Sequence, residues 1–230
     1  MSEIGIPALA TSAGPTTALP ATALPTPAVA TPALVTSAVP TQALATPAVE
    51  VPPVETPPFE IKALGTAPKI REMLSEILTE VVANGGSVSF LHPLEPDTAR
   101  AFWDGALAAA ARGERIVLGA WDAEVLAGTV TLLLDFPPNQ PHRAEIAKLM
   151  TRPSHRRRGV AAALMYAAEA LAVQRGRTLL VLDTATEGGA SRLYEGLGFN
   201  LAGEIPDYAL KPHGGLTGTM IYWKRIGRQT

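Results

Sequence analysis

Apolar side chains recur at helical spacing in two stretches of the chain. Over residues 68–82 they lie three and four positions apart, and Gly85 and Gly86 follow, so we predict an amphipathic helix that ends there. A second helix is predicted over residues 96–111, with Gly113 just beyond its end. Each helix carries an apolar side that a core can cover.

Strands are predicted where aliphatic and β-branched residues dominate. Residues 115–121 and 124–136 flank a short turn, which is the pattern of an antiparallel hairpin. Further strands are predicted over residues 143–151, 178–184, 199–205 and 218–225. A helix predicted over residues 158–175 lies between the first two of these, so strand, helix and strand form a right-handed crossover that joins parallel strands. The predicted fold class is α+β, with a mixed sheet of six or seven strands and helices on both faces.

The beginning of the chain differs from the rest in composition. Twelve of the 21 prolines lie before residue 61, and all 19 Lys and Arg residues lie after residue 60. Proline at this density removes ladder donors and breaks helices, so we predict a disordered Ala/Pro/Thr-rich tail over residues 1–62 and a folded domain over residues 63–230. The tail is interpreted as a solvated spacer or as a docking segment for a partner.

Charge and residue usage exclude several classes of protein. The net charge is −2 and the four glutamates of residues 1–60 contribute −4, so the +2 of residues 61–230 does not indicate bulk nucleic-acid binding. The chain has no cysteine, which excludes thiol catalysis and thiolate metal sites, and its four histidines lack ligand spacing, so no metal is expected. Because no apolar stretch has the length of a membrane span and no secretory signal is read, the expected location is the cytoplasm.

The stretch over residues 148–165 is the strongest candidate for a binding site. It runs from an apolar strand through a turn stopped by Pro153 and a basic loop with Gly159 into an Ala-rich helix. Such a loop directs backbone N–H groups and the positive end of a helix at one point, so an anion such as a pyrophosphate fits, and neighbouring arginines add charge. A solvated basic turn is the alternative. A nucleotide-binding P-loop would need a Gly-Lys-Ser/Thr triplet, and NAD binding would need more glycines.

Two motifs resemble the GNAT superfamily of N-acetyltransferases. The order Arg156-x-x-Gly159-x-Ala161 resembles the acyl-CoA signature of that family. The later run over residues 190–199, Ala-Ser-Arg-Leu-Tyr-Glu-Gly-Leu-Gly-Phe, resembles the segment that closes the family's second catalytic motif. Two such motifs in order are more specific than either alone. The resemblance implies a GNAT-like fold with acetyl-CoA as the co-substrate.

The resemblance also implies roles for individual residues. Backbone amides of the loop and of the preceding strand would hold the co-substrate, which assigns to acyl-CoA binding Leu149, Met150, Thr151, Arg156, Arg157, Arg158, Gly159, Val160 and Ala161. The Met150 N–H would polarise the thioester carbonyl. Tyr194 would donate a proton to the departing thiolate, because a phenol stays protonated at neutral pH. The alternative for Tyr194 is a core residue that holds a short helix.

Two carboxylates are candidates for activating an amine. Transfer to nitrogen requires a neutral amine, whereas an aliphatic ammonium, with a pKa of about 10.4, is mostly protonated at neutral pH. Glu145, near the start of one strand, and Asp183, at the carboxyl end of the next, could act as the base or bind the substrate. Glu145 could instead form an ion pair with Arg143 or Lys148. Strict alternation puts Glu145 and Met150 on opposite faces, so both reach one site only if a β-bulge lies between them.

These features together indicate an acetyl-CoA-dependent N-acetyltransferase that acts on a small, amino-acid-like or toxin-like amine by direct attack in a ternary complex. Neither a nucleic acid nor a membrane is expected as a partner, and a homodimer is left open. One alternative is a transferase for protein N-termini or lysines, which would have a groove for an extended peptide. Another is a non-catalytic acyl-CoA sensor, which would bind acetyl-CoA without turnover.

Overall fold

The computed structural model describes residues 59–227, which form a mixed sheet flanked by helices. Its elements follow in the order β1 Glu60–Ala63, α1 Pro68–Ala83, α2 Pro96–Ala111, β2 Arg115–Asp122, β3 Val125–Leu133, β4 Arg143–Thr151, α3 Val160–Gln174, β5 Leu179–Ala185, α4 Ser191–Gly196, β6 Asn200–Leu210 and β7 Leu216–Arg225. The seven strands lie in the order β1-β2-β3-β4-β5-β7-β6, and every neighbouring pair is antiparallel except β4 and β5. The predicted α+β class is confirmed, with seven strands.

Helices cover both faces of the sheet, as the sequence predicts. On one face, α3 packs Leu164, Met165 and Ala168 into a core shared with the central strands. On the other face, α1 and α2 pack against each other and against the first strands, with Leu74 and Trp103 completely buried. Burial of these apolar side chains is the main force that holds the layers together. No helix within residues 59–227 is long and apolar enough to cross a membrane.

The sequence does not predict β1. This strand pairs with β2, for example Lys62 with Gly119, and Phe59 just before it is 3% exposed in the core under α3. The sheet therefore begins before the predicted domain boundary between residues 62 and 63. β1 is an edge strand of four residues, and three of its side chains are exposed. It therefore lacks the alternation of apolar and polar residues from which a strand is predicted. The rest of the predicted tail, residues 1–58, lies outside the described residues.

The pairing between β4 and β5 is short. The parallel ladder joins residues 143–145 to residues 179–181 and goes no further. β4 continues along β3 to Thr151, and β5 continues along β7 to Ala185, so a gap opens between the carboxyl ends of β4 and β5. In α/β sheets, ligands bind outside the carboxyl ends of the strands. The gap is therefore the place to look for a site.

A β-bulge distorts β4 beside this gap. Met150 pairs with Thr129 of β3, but Ala147 pairs with Thr131, so two residues of β4 oppose one residue of β3. Lys148 lies in the bulge in a left-handed conformation with φ 51°. The bulge places Met150 on the face that carries α1 and α2. Such a bulge is the condition under which Glu145 and Met150 can lie on the same face of the sheet, as the sequence predicts.

A glycine of β3 allows the bulged strand to lie close to the start of α3. A Cβ added to Gly128 would lie 2.6 Å from the Met150 carbonyl oxygen and 2.8 Å from Val160 Cγ1. The nearer contact is backbone, so it could be relieved only by moving β4 itself.

We expect Gly128→Ala to lower the free energy of unfolding by about 1–3 kcal/mol, the usual cost of overpacking. Gly105→Ala is the matched control, since Gly105 is exposed within α2 and its added Cβ would meet nothing within 4 Å. That variant should gain up to about 1 kcal/mol from helix propensity. Urea denaturation measures both changes, and a Gly128→Ala variant as stable as the wild type would contradict the close packing.

Candidate active site

The loop between β4 and α3 presents backbone amides without partners. After a 3-10 turn at Pro153–His155, the chain passes through left-handed conformations at Arg157 (φ 60°) and Gly159 (φ 87°) and enters α3. Within the described part of the chain, no backbone carbonyl accepts a hydrogen bond from the N–H groups of residues 157–162. Since the positive end of the α3 dipole lies behind them, these donors favour an anion.

Two arginines fix this loop in place. Arg152 donates to the Leu126 carbonyl at 2.9 Å and pairs with Glu76 at 2.8 Å, which ties the end of β4 to β3 and α1. Arg158 pairs with Asp122, in the turn between β2 and β3, at 2.8 Å. The sequence predicts that the Arg158 side chain offers its charge to the anion, whereas in the structure Asp122 is a partner for that charge. The Arg158 backbone amide remains without a backbone acceptor.

A cleft of about 560 Å³ lies in the gap between β4 and β5. Arg156 and Ala161 line it on the side of the loop, and Tyr194 lines it on the side of α4. It is also lined by the three predicted residues at the end of β4, which are Leu149, Met150 and Thr151. The lining does not include the other predicted residues, Arg157, Arg158, Gly159 and Val160. The backbone N–H groups of these four residues belong to the unpaired donors of the loop, and the Val160 side chain is buried in the core.

A smaller cavity of about 190 Å³ lies beside the cleft. The cleft and the cavity share a wall that includes Leu149, Thr184 and Tyr194, so the two volumes adjoin there. The cavity is walled by the loop after α1 and by β5, β6 and β7, and its polar side chains include Ser87, Ser89, Lys148, Asp183 and Tyr208. His213 Nε2 lies 3.1 Å from the Ala83 carbonyl oxygen, which holds the loop between β6 and β7 against the end of α1.

Tyr194 is both a core residue and a polar group at this junction. It is 6% exposed, and its ring packs against Phe199 and Tyr222 with centroid separations of 6.0 and 5.7 Å. Burial raises the pKa of Tyr194 to about 12, and the Thr184 hydroxyl acts in the opposite direction. The phenol is therefore protonated at neutral pH and can donate a hydrogen bond.

The two predicted carboxylates lie in different surroundings. Asp183 faces the cavity and accepts a hydrogen bond from Thr219 Oγ1 at 3.3 Å. Glu145 lines neither the cleft nor the cavity. It pairs with Arg143 at 3.2 Å, on the last rung where β4 still pairs with β5. The structure therefore brings Asp183, but not Glu145, to the volume beside Tyr194.

The backbone of Met150 faces β3. Its carbonyl oxygen lies against a glycine of that strand, and two residues further along the Arg152 N–H donates to the Ala127 carbonyl at 2.9 Å. Since backbone groups alternate in direction along a strand, the N–H groups of Leu149 and Thr151 point toward the gap instead. Strand geometry thus favours Leu149, which lines both volumes, over Met150 as a donor to a bound carbonyl oxygen.

Lys148 is a candidate site residue that the sequence motifs do not predict. Its side chain enters the cavity from the bulge, and Nζ donates to Ser89 Oγ at 2.9 Å. Burial lowers the pKa of Lys148, and the Asp183 carboxylate acts in the opposite direction. The only signal in the sequence is a lone lysine between apolar residues, and it is interpreted there as an ion-pair partner for Glu145. In the structure Glu145 pairs with Arg143.

Several solved structures that resemble this chain are described as acetyltransferases or putative acetyltransferases. A ribosomal-protein-alanine N-acetyltransferase from Brucella melitensis is 18% identical, with a TM-score of 0.62 over 73% of this chain and 99% of that one. A putative acetyltransferase from Salmonella typhimurium, solved with acetyl-CoA, is 17% identical, with a TM-score of 0.60 over 74% and 96%. An aminoglycoside 6'-N-acetyltransferase complexed with coenzyme A is 17% identical, with a TM-score of 0.58 over 74% and 99%. At these identities the likeness shows the fold.

A match to a protein-family model shows which family this chain belongs to. Residues 70–199, more than half of the chain, match the model of the Acetyltransferase (GNAT) family, and the chain belongs to that family. The protein is therefore an acyltransferase, as the two sequence motifs predict. The GNAT-like fold is confirmed as well.

The buried phenol at the junction should make stability depend on alkaline pH. Tyr194 has a pKa of about 12 in the folded protein against 10.0 for an unperturbed tyrosine, so the unfolded chain loses this proton first. The contribution is present below about pH 10 and is lost as pH rises toward 12. When the pH is raised from about 9 to about 11, we expect the free energy of unfolding to fall in the wild type by about 1 kcal/mol more than it falls in Tyr194→Phe.

Urea denaturation at the two pH values measures this difference. Tyr166→Phe is the control, because Tyr166 is 62% exposed on α3. It should follow the wild type. Equal pH dependence in the wild type and in Tyr194→Phe would show that the phenol is not desolvated.

Proposed function

We propose that the protein transfers the acetyl group of acetyl-CoA to the amine of a small molecule. The observation that carries this proposal is the junction of the cleft with the cavity at Leu149 and Tyr194. Unpaired loop amides lie on the cleft side, and a carboxylate, Asp183, lies on the cavity side. This arrangement suits a donor and an acceptor that meet in a ternary complex without a covalent acyl-enzyme.

The residues of the cleft fit acetyl-CoA. The amides of residues 157–162 and the Arg156 side chain would hold its pyrophosphate, and the end of β4 would hold the arm that leads to the sulfur. The diverging edge of β4 suits that arm, because its outward N–H and C=O groups have no neighbouring strand to pair with. Acetyl-CoA supplies the acetyl group as a thioester, which an amine can attack directly.

Asp183 is the carboxylate best placed to act on the acceptor. Its position in the cavity lets it bind the incoming ammonium and accept a proton from it, directly or through water. Glu145, the other sequence candidate, would have to act through a water chain, since it lies on the rung before the gap and pairs with Arg143. We therefore assign the base role first to Asp183 and a supporting role to Glu145.

The remaining roles concern the charges that develop during transfer. The Leu149 N–H, rather than that of Met150, would stabilise the negative charge on the acetyl carbonyl oxygen. Tyr194 Oη would donate a hydrogen bond, and then its proton, to the sulfur that leaves. With a pKa of about 12 the phenol is a weaker acid than a thiol, whose pKa is about 8.5, so the hydrogen bond itself provides most of the stabilisation.

The acceptor is proposed to be a small, amino-acid-like amine. Four runs resemble the tabtoxin resistance protein, a GNAT acetyltransferase that acetylates an amino-acid toxin: residues 84–90, 143–150, 182–184 and 204–208. The cavity of about 190 Å³ is below the 300–1,000 Å³ usual for drug-sized ligands, so it suits a compact acceptor. Both points favour a small acceptor over a protein N-terminus or lysine.

Acetyl transfer to a panel of free amino acids and dipeptides tests the proposal. We expect Tyr194→Phe to lower kcat about 100-fold, a typical loss for a positioned acid, while the Kd for CoA stays unchanged. Tyr166→Phe, which removes an exposed hydroxyl on α3, is the control and should keep full activity. Unchanged turnover in Tyr194→Phe would remove the acid role. Tight CoA binding with no turnover of any amine would favour a sensor instead.

A further inference from the structure

The cavity contains two opposite charges that do not pair. Lys148 and Asp183 both line it, yet within residues 59–227 no carboxylate oxygen lies within 4.0 Å of Lys148 Nζ. The described hydrogen-bond partner of Nζ is Ser89 Oγ at 2.9 Å. An ammonium has three N–H donors, so this contact leaves two for another group.

The position of Lys148 is set by the backbone. The bulge in β4 gives Lys148 its left-handed φ of 51°, and Ser89, which holds Nζ, has a φ of 74°. Neither residue is a glycine, so each conformation costs free energy that the surrounding structure must supply. The ammonium also lies 5.8 Å from the centre of the Phe102 ring. Two strained residues and an aromatic face thus hold the amine at one wall of the cavity.

A half-buried cation without an anionic partner is unfavourable, because burial removes water from the charge. The direction of the Lys148 pKa shift, downward through burial, agrees with this. Two other lysines of the fold have carboxylate partners: Lys224 pairs with Glu169 at 2.6 Å and Lys211 pairs with Glu187 at 3.1 Å. A ligand that brings an anion to Lys148 would remove the cost.

We propose that Lys148, supported by Ser89, binds a carboxylate of the acceptor, so that the protein acetylates compact molecules that carry a carboxylate as well as an amine. This inference rests on the proposed function. The acceptor would lie between the two charges, with its carboxylate at Lys148 and its amine at Asp183 beside the junction with the cleft. Lys148 is a specificity residue in this scheme, and amines without an anionic group are poor acceptors because they leave it unpaired.

Conjugates of coenzyme A test the inference by binding alone. In each conjugate an acetamide link joins the sulfur of coenzyme A to the nitrogen of glycine, β-alanine or γ-aminobutyrate. Each conjugate is compared with a second one in which the free carboxylate is replaced by a primary amide. Calorimetry on the full chain should show at least one acid conjugate binding about 10- to 100-fold more tightly than its amide, the usual gain from a hydrogen bond to a charged group. Lys148→Met should abolish this preference and keep the Kd for CoA itself.

Lys62→Met is the matched control, because Lys62 is exposed on β1 and pairs with Glu60. It should keep the full preference for the acid. If CoA binds but no acid conjugate binds more tightly than its amide in the wild type, or if the preference survives in Lys148→Met, the role of Lys148 is overturned and the acetyltransferase proposal stands. If CoA itself does not bind, the proposed function fails and this inference fails with it.

Discussion

The parallel pairing of β4 with β5 stops after residue 145 of β4, and the candidate active site depends on that break. Had the ladder continued, the backbone groups at the ends of both strands would have been used within the sheet. Because it stops, the strand end and the first turn of α3 keep free N–H donors on the side where the cleft lies. Each edge of the gap is held by a flanking strand, since β4 pairs with β3 and β5 pairs with β7.

The bulge in β4 adds the second element of the site. It inserts one residue beside the gap, and this turns Lys148 into the cavity and brings Met150 onto the face of α1 and α2. Gly128 makes room for this path where β3, β4 and α3 meet. The cleft therefore depends on the strand break and the cavity on the bulge, while Tyr194 from α4 lies where they join.

Signals that are local in sequence predict this protein well. The apolar periodicity predicts the bounds of α2, and the motif at Arg156 predicts the loop and places the start of α3 within two residues of Val160. What depends on pairing in space is harder to predict. β1 has too few residues for a pattern, the salt bridge from Arg158 to Asp122 joins distant segments, and the direction of the Met150 amide follows from its register against β3. Lys148 is not predicted as a site residue, because it lines the cavity only as a result of the bulge.

Amide NMR of the isotopically labelled protein titrated with coenzyme A tests the central claim most directly. The account predicts that the N–H signals of residues 157–162 shift most and that their hydrogen exchange slows, because these donors gain acceptors when the pyrophosphate binds. Amides at the far end of α3, near Gln174, should stay unchanged. Binding with its largest shifts away from the loop, or no detectable association, would contradict the account.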